Sequence, residues 1–275
     1  NYVRSAAAAA AKLGLSCHVQ LENRVSDMPP PYHRSGNVLL NKLFGASSST
    51  FHIGEDEAAA DANIADIAKD FAKKGKKPYL LTLSPDTKPL GALGYIRCAG
   101  EILDQLNNQK QSVEKIVVAS GSAATHVGIL LGLRLLGSEI PVHGICVRRD
   151  RNQQILRVEG IVRLAEHLIG CGKVVQNKDI KCHDDWLAPG YGKTNGLVHE
   201  AMMLAGSLEG MIVDPVYTAK SLAGAIGLYR LGVFNNSQNI LYLHTGGMPA
   251  LFAYEDEITE KLNEGLSIKY QNNKP

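Results

Sequence analysis

The sequence predicts an α/β protein whose parallel sheets are covered by helices on both faces. Three observations lead there. Short runs rich in β-branched residues, such as 115–119 (KIVVA) and 142–147, alternate with longer stretches of helical spacing, such as 153–169. Parallel strands need helical crossovers and are buried on both faces, so they read as continuous apolar runs. Small or glycine-rich stretches follow several of the strands, at Gly121, at Gly190 and Gly192, and at Gly246 and Gly247. Finally, 45% apolar and 20% charged residues over 275 positions suit an ordinary globular chain and exclude disorder, collagen and coiled coil.

Taken in order, residues 5–13 form a helix, because alanine has the best helix propensity and Gly14 stands where helices stop. Residues 16–21 (SCHVQL) form a short strand. Pro29, Pro30 and Pro31 predict a loop from which helix is barred. Residues 36–44 have helical spacing, and 47–53 are a candidate strand. Residues 56–74 run from acidic to basic, as a helix dipole favours. The four lysines within 73–77 are its solvated end. Residues 78–83 (PYLLTL) predict a strand and 91–106 a helix. The strand 115–119 leads through a loop into an apolar helix at 121–136. Strand 142–147, helix 153–169, helix 195–205, strand 210–213, helix 219–231 and strand 240–243 complete the alternation. Pro85 and Pro89 interrupt it, which places a boundary within 84–89, between a smaller lobe (1–88) and a larger one (89–275).

Twenty-nine cationic and 27 anionic side chains leave a net charge of +2, too small to imply nucleic acid or a membrane surface. No apolar run nears the roughly 20 residues of a membrane-spanning helix. The five cysteines, Cys17, Cys98, Cys146, Cys171 and Cys182, are odd in number and form no C-x-x-C pair. They predict reduced thiols in a cytoplasmic protein. Cys182, His183, Asp184 and Asp185 are dense in ligand types. Adjacent residues do not converge on one ion, so a polar loop without metal is expected. Position 1 is Asn rather than Met, and no signal peptide follows, so the chain reads as the later part of a longer protein.

In an open α/β sheet, ligands bind beyond the carboxyl ends of the strands. After strand 115–119 stand Ser120, Gly121, Ser122, Ala123, Ala124 and Thr125. Small residues let backbone approach a ligand, and free amides at a helix start attract an anion. Neither a P-loop nor a G-x-G-x-x-G fingerprint is present. Asp214, Pro215, Val216, Tyr217 and Thr218 end a second strand. His244, Thr245, Gly246 and Gly247 end a third, where two glycines allow a flat ligand to lie close.

Together with Gly91-Ala92-Leu93-Gly94-Tyr95, Ala188-Pro189-Gly190-Tyr191-Gly192 and Pro249-Ala250-Leu251-Phe252, these motifs resemble one family along the whole chain. It is the pyridoxal-phosphate enzymes grouped with D-cysteine desulfhydrase and 1-aminocyclopropane-1-carboxylate (ACC) deaminase. Residues 21–40 are also similar to L-cysteate sulfo-lyase. The resemblance implies a tryptophan-synthase β-like fold, that is, a type II pyridoxal-phosphate enzyme with two open, twisted parallel-sheet lobes and a start that lacks its first segment. It implies pyridoxal 5'-phosphate as cofactor, with its phosphate held by Gly121, Ser122, Ala123, Ala124 and Thr125. Thr245, with Gly246, would face the pyridine nitrogen. Tyr217 would lie beside the ring and the substrate, and Asn1 would contact the ring oxygen and the substrate, with Asn1, Tyr217 and Thr218 as the catalytic candidates.

ACC deaminases typically carry Glu where this chain has Thr218 and Leu where it has Thr245. The resemblance therefore implies β-elimination from a cysteine-like amino acid rather than ring opening. D-cysteine would give sulfide, pyruvate and ammonia, with L-cysteate and ACC as alternatives. A homodimer is implied as well. Some features depart from the family pattern. The lysine that carries the cofactor belongs to a Gly-Asn-Lys motif upstream of Asn1, and no Gly-Asn-Lys occurs here. The serine before Asn1 is missing too. Tyr2 replaces the usual His or Gln, and Ala124 a frequent Gly. If that lysine were lost from the protein altogether, a catalytically silent binder would remain. A chain of these 275 residues is expected to hold the cofactor weakly. Lys220, in the first turn of helix 219–231, reads as a surface lysine.

Overall fold

The computed structural model describes residues 1–52, 54, 56–82 and 87–272, with side chains as far as residue 264. Two parallel sheets organise it. In the smaller, β1 (His18–Glu22) pairs with β2 (Ser47–Phe51), with His18 opposite Ser47. The larger has the order β5-β4-β3-β6, with β3 at Lys115–Ser120, β4 at Val142–Cys146, β5 at Lys181–His183 and β6 at Ile240–Tyr242. Ser120 sits opposite Cys146, so β3 and β4 end level with each other. All five residues of β4 are buried, as a central strand covered on both faces requires.

The helices are α1 (Tyr2–Lys12), α2 (Pro30–Arg34), α3 (Gly36–Leu43), α4 (Glu57–Lys73), α5 (Leu90–Asn108), α6 (Ala124–Leu135), α7 (Arg151–Ile169), α8 (Gly196–Glu209), α9 (Thr218–Arg230) and α10 (Glu255–Asn272). Side-chain caps fix three of the starts. Asp56 accepts from Ala59 N at 2.9 Å, Asp150 from Gln153 N at 2.9 Å and Asn195 from Val198 N at 3.0 Å. A 3-10 turn, Met248–Tyr254, links β6 to α10. No helix among the described residues is long and apolar enough to cross a membrane.

Four expectations need correction. The triproline segment is not a loop throughout, because Pro30 and Pro31 start the short helix α2, where a missing amide donor costs nothing. Residues 210–213 form no strand. Met211 N instead bonds back to Ala205 O and finishes α8. The strand expected over 78–83 is absent from 78–82, which run outside any ladder among the described residues, while Leu83 lies outside them. Cys182 and His183 are not in a polar loop. They belong to β5, whose alternation buries Cys182 completely and stacks His183 on His143 at 5.2 Å. Ile53 and most of the boundary expected at 84–89 also fall outside the described residues or on bends without regular structure.

The core lies between the large sheet and α5, α6 and α7. Helix α6 is buried from His126 to Leu133. A Cβ on Gly128 would stand 2.4 Å from Tyr95 Cβ, and one on Gly132 2.6 Å from Ile96 O. Helices α5 and α6 therefore pack backbone to backbone, and only glycine permits that approach. On the opposite face of the sheet, Trp186, the one tryptophan, is 5% exposed and packs flat on α9. A Cβ on Gly227 would fall 2.0 Å from its Cζ2. All five cysteines are free thiols.

Candidate active site

At the carboxyl end of β3 the chain turns sharply into α6. Ala123 adopts φ +76°, a left-handed conformation unusual for a residue with a Cβ, and no side chain caps the helix. Three side chains from α7 and the loop before it hold the loop from behind. Arg149 and Gln154 each donate to Gly121 O at 3.2 Å, and Arg157 donates to Ser122 O at 3.2 Å. With the carbonyls tied back, the amides of Ser122, Ala123, Ala124 and Thr125 are left for an anion at the helix start. A Cβ on Gly121 would stand 3.0 Å from Val147 Cγ2 and 3.7 Å from Tyr217 Cε1, so this loop passes directly beside the Tyr217 ring.

Tyr217 precedes α9 and is fixed by Asp214. The buried Asp214 carboxylate accepts from Val216 N and Tyr217 N at 3.0 Å, from Thr218 N at 2.9 Å and from Thr218 Oγ1 at 2.7 Å. Thr218 is 0% exposed, and its hydroxyl also accepts from Asp214 N at 2.6 Å, so this hydroxyl is committed to the turn. Tyr217 Oη lies 2.6 Å from Tyr191 Oη. Burial first, then the neighbouring Tyr191, raises the Tyr217 phenol well above its ordinary value, so it stays protonated.

The turn after β6 meets this assembly from the other side. A Cβ on Gly247 would fall 2.4 Å from Asp214 Oδ1. Gly246 has φ +91° and open space where a side chain would stand. His244 accepts from Gly246 N at 3.2 Å on Nδ1, which leaves Nε2–H to donate to Ile212 O at 2.8 Å. Thr245 is exposed, and its hydroxyl makes no hydrogen bond among the described residues. Asn1 Oδ1 accepts from Asn37 Nδ2 at 2.8 Å. Gly36, next to Asn37, packs so closely on Pro249 that a Cβ would lie 2.3 Å from its carbonyl. That contact sets Asn1 beside the Gly246–Pro249 turn. Gly121 and Tyr217, and Asp214 and Gly247, are thus brought into contact, and Asn1 joins them through α3 and through the attraction between its buried amino group and the Asp214 carboxylate.

Sequence reasoning missed two features. One is a charge cluster behind the amide loop. Glu57, the first residue of α4, pairs with Arg149 at 2.9 Å, with Arg157 at 3.0 Å, with Arg24 at 3.6 Å and closely with Arg148. Burial opposes its charge, but Arg157, Arg148 and Arg149 together overcome that and hold its carboxyl at about 2. The run Arg148-Arg149-Asp150-Arg151 was the available signal. The other is Lys220, which is not on the surface. It is 0% exposed, and Nζ donates to Leu187 O at 3.1 Å, Gly190 O at 2.9 Å and Lys193 O at 3.1 Å.

The residues fit a flat, phosphorylated ligand, with uncapped amides at one end, an aromatic ring beside them and a glycine turn with an exposed hydroxyl at the other. The family model described as pyridoxal-phosphate dependent enzyme matches residues 1–246. The D-cysteine desulfhydrases of Salmonella paratyphi A and Salmonella choleraesuis strain SC-B67 are each 38% identical over 258 residues, which cover 94% of this chain and 76% of theirs. A solved structure of an ACC deaminase homologue superposes with a TM-score of 0.80 at 30% identity, over 94% of this chain and 74% of that one. An O-ureido-L-serine synthase mutant, at 12% identity and a TM-score of 0.64 over 100% of this chain and 78% of its own, shares the fold alone.

Proposed function

The chain belongs to the pyridoxal-phosphate dependent enzyme family, as a lyase of fold type II, and we propose that its site performs β-elimination on D-cysteine. The products are sulfide, pyruvate and ammonia, with one water consumed. Pyridoxal phosphate supplies, when bound, a sink for the electron pair left as the substrate's α-proton departs. The amides of Ser122, Ala123, Ala124 and Thr125 hold its phosphate, and Gly121 leaves room for the Tyr217 ring beside it. Tyr217 keeps its proton and offers a hydrogen-bond donor toward the substrate, oriented by Tyr191 and by the Asp214 turn. Thr218 acts by fixing that turn. Asn1 and Gly246 line the far side.

The observation that carries the reading is the absence of an available carboxylate in this turn. Thr245 stands exposed at the carboxyl end of β6, whereas all four donors around Asp214 are spent on its carboxylate. A hydroxyl does not hold a ring nitrogen protonated as a carboxylate does, so the sink is weaker. Elimination tolerates this, because the departing sulfur carries the electrons away.

Full-length protein tested on D-cysteine, L-cysteine, L-cysteate and ACC should release sulfide from D-cysteine with kcat/KM about tenfold or more above any other turnover. Faster sulfite release from L-cysteate, or faster deamination of ACC, would replace the reading with that activity. We also infer a cytoplasmic homodimer. The five free thiols support the compartment, and exposed Leu39 and Leu43 on α3 offer an apolar face for the pairing. A light-scattering mass of one chain would remove the dimer.

A further inference from the structure

Lys220 lies in the first turn of α9, where the helix dipole disfavours a cation, and its side chain is fully buried. No carboxylate pairs with it among the described residues. An ammonium has three donors and no acceptor, and here each donor meets a backbone carbonyl, from Leu187, Gly190 and Lys193. Those carbonyls belong to one loop, which makes little hydrogen bonding of its own. Lys193 N reaches Gly190 O at only 3.4 Å, while Ala188 O is taken by the Asn195 side chain and Gly192 O by Tyr254 Oη at 2.6 Å. Gly190 and Gly192 take φ +147° and +69°, backbone conformations that favour glycine. Three converging carbonyls repel one another unless a cation stands between them. Burial has lowered the Lys220 ammonium from 10.5 to about 8, still charged at neutral pH.

We propose that Lys220 is a tethered monovalent cation. Its ammonium fills a three-carbonyl site of the kind that free ammonium or potassium would occupy, and it orders the 187–193 loop without any dissolved ion. The loop carries Tyr191, whose hydroxyl stands 2.6 Å from that of Tyr217. Lys220 is thus a positioning residue that acts on the site through Tyr191. Neither the substrate nor the cofactor enters this role, so it stands or falls apart from the activity proposed above.

The test is amide hydrogen exchange of the 187–193 peptide in the full-length protein. Chloride salts of lithium, potassium and ammonium are compared at one ionic strength. The native loop should exchange at the same rate in all three. Lys220→Met fills the space without charge, and its loop should exchange about tenfold faster in every salt. Lys220→Ala leaves a vacated site. Its loop should exchange as fast as that of Lys220→Met in lithium and return toward the native rate in ammonium or potassium. An unchanged loop in Lys220→Met overturns the proposal. So does a Lys220→Ala loop equally exposed in all three salts, or a Lys220→Ala chain that folds in none of them. A native loop that is itself tightened by potassium would mean that a free ion, rather than Lys220, does the ordering.

Discussion

The two loops that flank Tyr217 have opposite polarity. Between β3 and α6 the carbonyls of Gly121 and Ser122 are drawn back by Arg149, Gln154 and Arg157, and no side chain caps the amides of the helix start. Across residues 187–193 the carbonyls turn inward, and Lys220 supplies the charge they need. The carbonyl loop is completed by the chain itself, and the amide loop is proposed to be completed by a ligand. The difference teaches where preorganisation resides. On the proposed reading, the carbonyl loop would be finished on folding and hold Tyr191 in place, whereas the amide loop would reach its full hydrogen bonding only with a bound anion.

The comparison breaks most severely at Glu57, because the arginines that draw back the amide loop converge on it. Glu57→Gln leaves Arg148, Arg149 and Arg157 crowded and half-buried without their shared counter-charge. A loss of about 3 kcal/mol in unfolding free energy is expected, together with reduced cofactor retention. Denaturant melts and the pyridoxal-phosphate content of purified protein report both effects, and an equally stable variant would separate the charge cluster from the loop. Acid provides the same break without mutation. The Glu57 carboxyl is depressed from 4.5 to about 2 in the folded state, so its contribution is present above 4.5 and fades as pH falls toward 2. The stability gap between native protein and Glu57→Gln should close over that window.

Next in size is Ala123→Leu. Ala123 is 2% exposed at a left-handed φ, so a larger side chain overpacks the loop by about 1–3 kcal/mol and blocks an anion's approach. The Lys220 loop, which shares no residue with it, should keep its native exchange rate. Normal cofactor content in Ala123→Leu would remove the amides from the phosphate site. The smallest effect belongs to Thr245→Val, which keeps shape and loses one exposed hydroxyl. Folding should be nearly unchanged, while the cofactor's absorbance and the turnover shift together, by an amount matching about 0.5–1.5 kcal/mol. If neither moved, Thr245 would not face the ring.

Much of the fold was legible in the sequence. The apolar runs at β3 and β4 and the periodic stretches at α4, α6 and α7 lie where buried parallel strands and their crossovers must. What escaped was set by partners distant in the chain. β5 is three residues of mixed polarity, and only its pairing with β4, Gly144 opposite Cys182, makes it a strand. Residues 210–213 have a strand's composition but find no ladder. Local pattern also singled out Gly121–Thr125 and the His244–Gly247 turn, because small residues after strands announce close backbone approach, whereas the Asp214 turn follows residues that form no strand. It misplaced Lys220, since no sequence feature of α9 shows that three carbonyls some thirty residues upstream converge on its third position. It passed over Glu57 for a similar reason, since its arginines are brought to it only by packing.

The tryptophan on Gly227 gives the protein an optical property. Trp186 is the sole indole of the chain, is shielded from water, and is followed directly by Leu187, whose carbonyl binds Lys220. Intrinsic fluorescence excited at the red edge of protein absorption therefore comes from a single point beside the carbonyl loop. A red shift of that emission on mutation, heating or salt exchange would mark water reaching this one contact. Quenching by an added chromophore would measure how near the chromophore sits to it. The molecule carries its own gauge at the place where its loop is fastened.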